Sequence, residues 1–224
     1  MVDDARAGYL RAMGITAYVP RRVPGQAADA PTEPLAGAMD WDALERAVRD
    51  CRLCGLCGTR TQTVFGVGDR GARLMVVGEA PGAEEDRQGE PFVGRAGQLL
   101  NAVLRAAGFE RAQVYIANIL KCRPPSNRDP QPGEVEQCLP YLSRQIELVD
   151  PALILCVGRI AAQNLLGTDV TIGRLRGTVH HLSGGRPVVV TYHPAYLLRS
   201  PGEKRKVWED LKLVLRTLGD GHGA

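Results

Sequence analysis

The sequence predicts an α/β domain: a central sheet of four parallel strands between two layers of helices. Three observations predict it. Short apolar runs at residues 74–77, 114–117, 153–157 and 188–191 have the length and content of buried strands. Segments of helical periodicity separate them, which calls for parallel strands with helices packed on both faces. Polar stretches follow three of the runs, where open α/β sheets place their sites.

Taken in order, Asp40 is a candidate N-cap for a helix over WDALERAVRD, in which Trp41, Leu44 and Val48 share a face. That helix delivers Cys51 at its end. Residues 96–107 form an amphipathic helix closed by Gly108, and Pro132 suits the first turn of a helix running to about 149. A helix over 159–166 ends at Gly167. His180 and His181 fall in an expected hairpin. The last helix spans about 203–218, with Val207, Trp208, Leu211, Val214 and Leu215 turned inward. Residues 23–39 carry Pro, Gly, Ala and acidic side chains without apolar periodicity and read as a linker. The expected organisation is a peptide and linker over 1–39, a globular domain over 40–218 and a short tail over 219–224.

The chain has 224 residues, 44% hydrophobic and 24% charged, which is ordinary globular usage and excludes a wholly disordered or fibrous chain. No run approaches the roughly 18 apolar residues of a membrane span, and MVDDARAGYL has no signal-peptide core. A protein of the bacterial cytosol is expected, and a monomer. A net charge of +3 says little about nucleic acid, so local basic clusters must carry that case. In a reducing compartment the cysteines at 51, 54, 57, 122, 138 and 156 point to metal or cluster ligation before disulfides. Cys51 and Cys54 form a Cys-x-x-Cys pair, with Cys122 and Cys138 as distant partners. Spacing alone leaves a redox pair, zinc and an iron–sulfur cluster open. Cys57 offers a second register with Cys54, and Cys156 sits in an apolar run as a small core residue.

The polar stretches are GEAPGAEEDRQGEPFVG, KCRPPSNRDP preceded by Asn118, and HPAYLLR. Their residue types meet the needs of a pocket for a flipped nucleobase, which is gripped by a stacking ring and by hydrogen bonds to its edge. Phe92 is the ring, or else a hydrophobic plug for its loop. Asn118 offers acceptor and donor on one amide, which matches N3 and O4 of uracil if a neighbour fixes its orientation. His193 lies just past a strand, placed to donate to the base as negative charge develops. The competing reading is a histidine satisfied by a loop carbonyl.

These segments, with CRLC, TQTVFGVGD, PFVGRAGQLL and the single Cys138, make the chain similar to the family 4 uracil-DNA glycosylases over residues 51 to about 217. The resemblance implies the three-layer α/β/α uracil-DNA glycosylase fold and a [4Fe–4S] cluster held by Cys51, Cys54, Cys122 and Cys138. It implies a repair enzyme that flips uracil from DNA and hydrolyses the N-glycosidic bond, leaving an abasic site. It puts Gly78, Glu79 and Ala80 at the water and base pocket, Phe92 under uracil, Asn118 on its edge and His193 at O2, with Glu85 and Asp86 as acidic candidates beside them. Better-known uracil glycosylases have a water-orienting Asp where this chain has Ala80. The water then falls to Glu79, Glu85 or a backbone carbonyl.

No lysine lies in the catalytic stretches after the first and fourth strands, which argues against a Schiff-base lyase step. The second stretch also lacks the histidine-bearing insertion of a related cross-linking type. A DNA grip is expected from Lys121, Arg123 and Arg128, and from Arg199, Lys204, Arg205 and Lys206, with Leu197 or Leu198 as the wedge that fills the gap left by the base. The tail YLRAMGITAYVPRRVPG resembles the N-terminal peptide of the bacterial clamp-loader psi subunit, which implies a replication contact; a locally packed helix or plain leader is the alternative. Rival classes are a non-catalytic nucleic-acid-binding module and a glycosylase for another base such as hypoxanthine. The trio Glu79, Asn118 and His193 argues against the first.

Overall fold

The computed structural model describes residues 36–220. The amino-terminal peptide, the linker up to residue 35 and residues 221–224 of the tail lie outside the described residues. Ala36–Ala38 form a 3-10 turn. Ala36 is buried and the Met39 carbonyl accepts from Arg144 Nε at 2.8 Å, so packing starts ahead of Asp40.

Helix α1 (Trp41–Asp50) begins as its cap dictates, with Asp40 Oδ1 accepting from the Ala43 amide at 2.8 Å. The chain continues through β1 (Val67–Gly68), β2 (Leu74–Gly78), α2 (Ala83–Gln88), α3 (Arg95–Ala106) and β3 (Tyr115–Asn118). It then forms α4 (Pro132–Val149), β4 (Leu153–Val157), α5 (Arg159–Leu166), α6 (Ile172–Leu175) and β5 (Val179–His181), and closes with β6 (Pro187–Thr191), α7 (Pro194–Arg199) and α8 (Lys204–Asp220). Gly167, in the left-handed region, stops α5 by donating to the Gln163 carbonyl.

The sheet runs β1-β3-β2-β4-β6-β5. The expected strands are the parallel centre, β3-β2-β4-β6. The expected count of four is corrected to six, because β1 and β5 add an antiparallel strand at each edge. Both are too short to display an alternating pattern, and short edges are how sheets avoid pairing with other chains. His180 and His181 lie in the β5–β6 hairpin.

Alternation along each central strand builds the two cores. Met75, Val77, Ala117, Ile154, Cys156 and Val190 face α1, α4, α5 and α6. Leu74, Val76, Ile116, Leu155 and Val189 face α3, α7 and α8. The result is three layers, α/β/α. In α8 the inward residues are Val207, Leu211, Val214 and Leu218; Trp208 and Leu215 are 41% and 38% exposed, against expectation. The helix lies flat on β4 and β6, so only its central stripe is covered and those two flank it. HPAYLLR, expected as a loop, is mostly the helix α7, with His193 as its N-cap.

Candidate active site and cysteine cavity

A cavity of about 460 Å³ opens at the carboxyl ends of the central strands, within the range of small-ligand sites. Glu79, Ala80, Glu85, Phe92, Asn118, His193 and Arg199 all line it. Residues remote in sequence thus meet because parallel strands end at the same edge. Gly78 itself is buried against two of them. A Cβ there would lie 2.4 Å from Asn118 Oδ1 and 2.6 Å from Phe92 Cζ, so glycine is required for ring and amide to stand side by side.

Phe92 is held under constraint. Its φ is +54°, a left-handed conformation that costs a bulky residue energy and persists only when its surroundings impose it. Glu85 supplies part of the imposition: Oε1 accepts from the Val93 and Gly94 amides, both at 3.0 Å, and Oε2 from the Gly82 amide at 3.1 Å. Gly97, in the first turn of α3, supplies more, since a Cβ there would stand 1.8 Å from the Phe92 carbonyl oxygen. Arg111, which sequence reasoning missed, donates to the Pro91 carbonyl at 2.6 Å and to Glu90 at 2.9 Å. Glu85, expected as a water-orienting candidate, lines the cavity but spends three of its lone pairs on backbone donors and so braces the Phe92 loop.

Asn118 ends β3 and is buried, and its Oδ1 has no hydrogen-bond partner. An orphaned buried acceptor is costly, and one on a residue that lines a cavity is a place where a ligand or a water can complete it. Its backbone carbonyl accepts from Lys121 Nζ at 2.9 Å, and the same amine donates to Gln145 Oε1 at 2.5 Å. Lys121 is 1% exposed, so its expected role in gripping DNA is corrected: it is an internal strut.

His193 Nδ1 accepts from the Ala195 amide at 3.1 Å, which places the ring proton on Nε2. Burial, with Arg199 adding to it and Glu85 opposing, pushes the imidazole down to about 4, so the ring is neutral at pH 7. Its centroid stands 5.7 Å from that of Phe92. Gly158, at φ +101°, lets α5 start against the ring, since a Cβ would meet His193 Cβ at 3.1 Å. Glu79 is pushed up to about 7, chiefly by burial and then by Asp129, with Arg159 opposing. Asp129 and Arg159 pair at 2.9 Å.

The remaining expected residues divide. Asp86 is corrected from base contact to scaffold: it is buried outside the cavity lining and accepts from Thr61 Oγ1 at 2.7 Å and from the Thr61 amide at 2.9 Å. Leu197 is 1% exposed in the core and cannot be a wedge, whereas Leu198, on the other side of α7, is 39% exposed. Lys204 and Arg205 are exposed at the start of α8, and Lys206 pairs with Glu203 at 2.8 Å. Arg128 lines the cavity but is held by both oxygens of Glu134, at 2.6 and 2.9 Å, and Arg123 donates to Asn127 at 2.7 Å. Tyr196, also in the lining, was not anticipated.

Beside α1 and α4, Cys51, Cys54, Cys57, Cys122 and Cys138 line a second, apolar cavity with Leu53 and Tyr141. Arg60 Nη1 donates to Cys122 Sγ at 3.0 Å, and the Lys121 amide donates to Cys138 Sγ at 3.2 Å. Cys51 acts electrostatically on Cys54, Cys122 and Cys138, whereas Cys57 acts on Cys54 and Arg60. Burial raises the thiols of Cys54 and Cys122 and pushes Cys138 up to about 12, so only a strong Lewis acid would keep them as thiolates. Among the described residues, no three His, Cys, Asp or Glu side chains converge as a single ion demands. Cys156 is wholly buried in β4, as expected of a core residue.

Residues 65–212 match the model of the uracil DNA glycosylase superfamily. A type-4 uracil-DNA glycosylase of Archaeoglobus fulgidus is 46% identical over 77% of this chain and 90% of its own length. One from Thermotoga maritima is 42% identical over 76% and 91%. A type-5 uracil-DNA glycosylase of Pyrobaculum aerophilum is 36% identical over 66% of this chain and 72% of its own.

Proposed function

From the premise that the chain belongs to the type-4 uracil-DNA glycosylases, enzymes of the uracil DNA glycosylase superfamily that excise uracil in DNA repair, we propose how its own residues perform that excision. The observation that carries the reading is the orphaned Oδ1 of Asn118 in the wall of the cavity. Uracil stacked on Phe92 offers its N3–H to that oxygen, and the Asn118 amide nitrogen faces O4. In that orientation the amide would be left unpaired by a cytosine edge, which presents the reverse pattern and which a flipped amide would read instead.

His193 donates from Nε2 to O2. As the C1′–N1 bond breaks, its electron pair moves onto the base, and a neutral, pre-oriented donor there stabilises the anion. The sugar becomes oxocarbenium-like and water adds at C1′. Glu79, ionised, offsets the sugar's positive charge, orients that water and takes the proton it sheds, in preference to Glu85, three of whose lone pairs are engaged, and to a backbone carbonyl, which is too weak a base. Hydrolysis without a lyase step is supported by a cavity lining that contains no lysine.

Cys51, Cys54, Cys122 and Cys138, four thiols in one apolar cavity, would hold a [4Fe–4S] cluster, and the choice of cluster over zinc rests on the family resemblance. Bound, such a group would cross-link α1, the segment after β3 and α4. No helix of the described residues is long and apolar enough to cross a membrane. Acting on DNA would place the enzyme with the nucleoid in the bacterial cytosol. The clamp-loader contact rests on the amino-terminal resemblance alone.

The test is single-turnover excision on oligonucleotides bearing uracil, hypoxanthine or a thymine mismatch. Cleavage of uracil, lost in Asn118→Ala with binding to abasic DNA retained, is the expected result. Equal loss of excision and binding would remove the base-reading role.

A further inference from the structure

Strand β6 ends at Thr191, two residues before His193. Thr191 Oγ1 donates to Asp210 Oδ2 at 2.6 Å, and Arg176 donates to the same oxygen from Nε at 2.8 Å and approaches it with Nη2 at 2.7 Å. Asp210 comes from α8 and is wholly buried, while the Arg176 side chain is 11% exposed. The guanidinium lies 4.5 Å from the centroid of the Tyr192 ring, and that ring stands 5.1 Å from Tyr196 in the cavity wall. The Thr191 carbonyl, in turn, accepts from the Gly158 amide at 2.9 Å, the glycine against which the imidazole packs. The segment that presents His193 is thus gripped at its base by Asp210 and along its side by Arg176.

Stability is a poor reason for this arrangement. Taking two charges out of water costs about as much as their attraction returns, and apolar side chains in their place are often as stable or more so. Burial outweighs the donors around Asp210 and holds its carboxyl above the ordinary range. What the ion pair adds over an apolar plug is direction: it fixes a hydroxyl, a ring plane and, through them, the turn between β6 and α7. A misplacement of about 1 Å in a group that acts only in the transition state costs on the order of a hundredfold in rate.

We propose that Asp210, through Arg176 and Thr191, is a positioning residue for the His193 imidazole. The proposal rests on His193 as the donor to uracil O2. Neither Arg176 nor Asp210 lines the cavity, so an effect on chemistry passes either through the histidine turn or through Tyr192 to Tyr196, and removing His193 separates the two.

A double-mutant cycle tests it. Asp210→Asn and Thr191→Val are made alone and in a His193→Ala background, and single-turnover uracil excision and thermal midpoint are measured for each. Alone, Asp210→Asn is expected to slow excision about tenfold to a hundredfold and Thr191→Val by about three- to tenfold. In the His193→Ala background neither should slow it by more than about twofold, because the group they position is gone. Full additivity in that background, or parental rates for both single variants, would overturn the proposal. If Asp210→Asn does not fold, the Thr191→Val arm decides, since it keeps the ion pair. A His193→Ala enzyme at the parental rate would instead sink the histidine assignment itself, a failure distinct from additivity.

Discussion

The base cavity, at the carboxyl ends of the central strands, and the cysteine cavity, between α1, α4 and the segment after β3, are built on opposite rules. In the first, groups are held unsatisfied: Asn118 Oδ1 has no partner, Phe92 sits at positive φ, and burial keeps His193 neutral. In the second, donors are aimed at sulfur, from Arg60 to Cys122 and from the Lys121 amide to Cys138, within an apolar wall. Potential for a transient guest is stored in one and hospitality for a permanent one in the other. The segment from Asn118 to Arg128 contributes to both, Lys121 and Cys122 to the cysteine cavity and Asn118, Pro124 and Arg128 to the base cavity, with Lys121 as its strut. Substitutions in the two cavities should therefore read out differently.

The largest effect is expected on the cysteine side. Cys122→Ala or Cys138→Ala should drop iron from about four per chain to below one and remove the cooperative thermal transition, whereas Cys57→Ala should keep iron and colour. Iron analysis and visible absorption decide it; loss of iron in the Cys57 variant would redraw the ligand set. Next come Asn118→Ala and His193→Ala, each expected to slow single-turnover excision by about a hundredfold to a thousandfold, or roughly 2.7 to 4 kcal/mol, with iron content unchanged. Iron loss in either would show that the two cavities are not separable.

A smaller effect concerns Glu79. With its carboxyl held at about 7, the ionised fraction rises as pH passes through that value, so excision should climb from pH 6 to a plateau above pH 8. His193, at about 4, is neutral across this range and contributes no limb there. Glu79→Gln should flatten the profile and lower the plateau by about tenfold; an unchanged profile would assign the limb elsewhere. The smallest effect is Lys204→Ala, which should weaken DNA binding a few-fold and reduce the salt slope by about one, with excision from bound DNA untouched.

Much of this was legible in the chain. The parallel centre of the sheet, the Asp40 cap, the Gly167 stop and the burial of Cys156 follow from local pattern, since alternation, helical periodicity and cap chemistry are carried by residues close in sequence. Phe92, Asn118 and His193 were visible as polar or aromatic residues just past apolar runs, and parallel topology brings such positions to one edge. Of the edge strands, β1 escaped notice because two residues show no period, while β5 was expected only as part of a hairpin around His180 and His181.

What the sequence by itself determined was therefore the list of elements and the residue types available at the end of each strand. Only the tertiary structure decided among neighbours of like chemistry: Glu79 and Glu85 both line the cavity but only Glu85 is tied to backbone donors of the Phe92 loop, Asp86 holds Thr61, and Leu198 is exposed while Leu197 is core. It also turned Lys121 from a surface cation into a strut and joined Arg176 to Asp210 beneath the histidine turn. Carboxylates, amines and leucines adjacent in sequence carry the same local propensities. Their roles differ only through burial and through donors that arrive from segments far away in the chain, and those are properties of the packed fold.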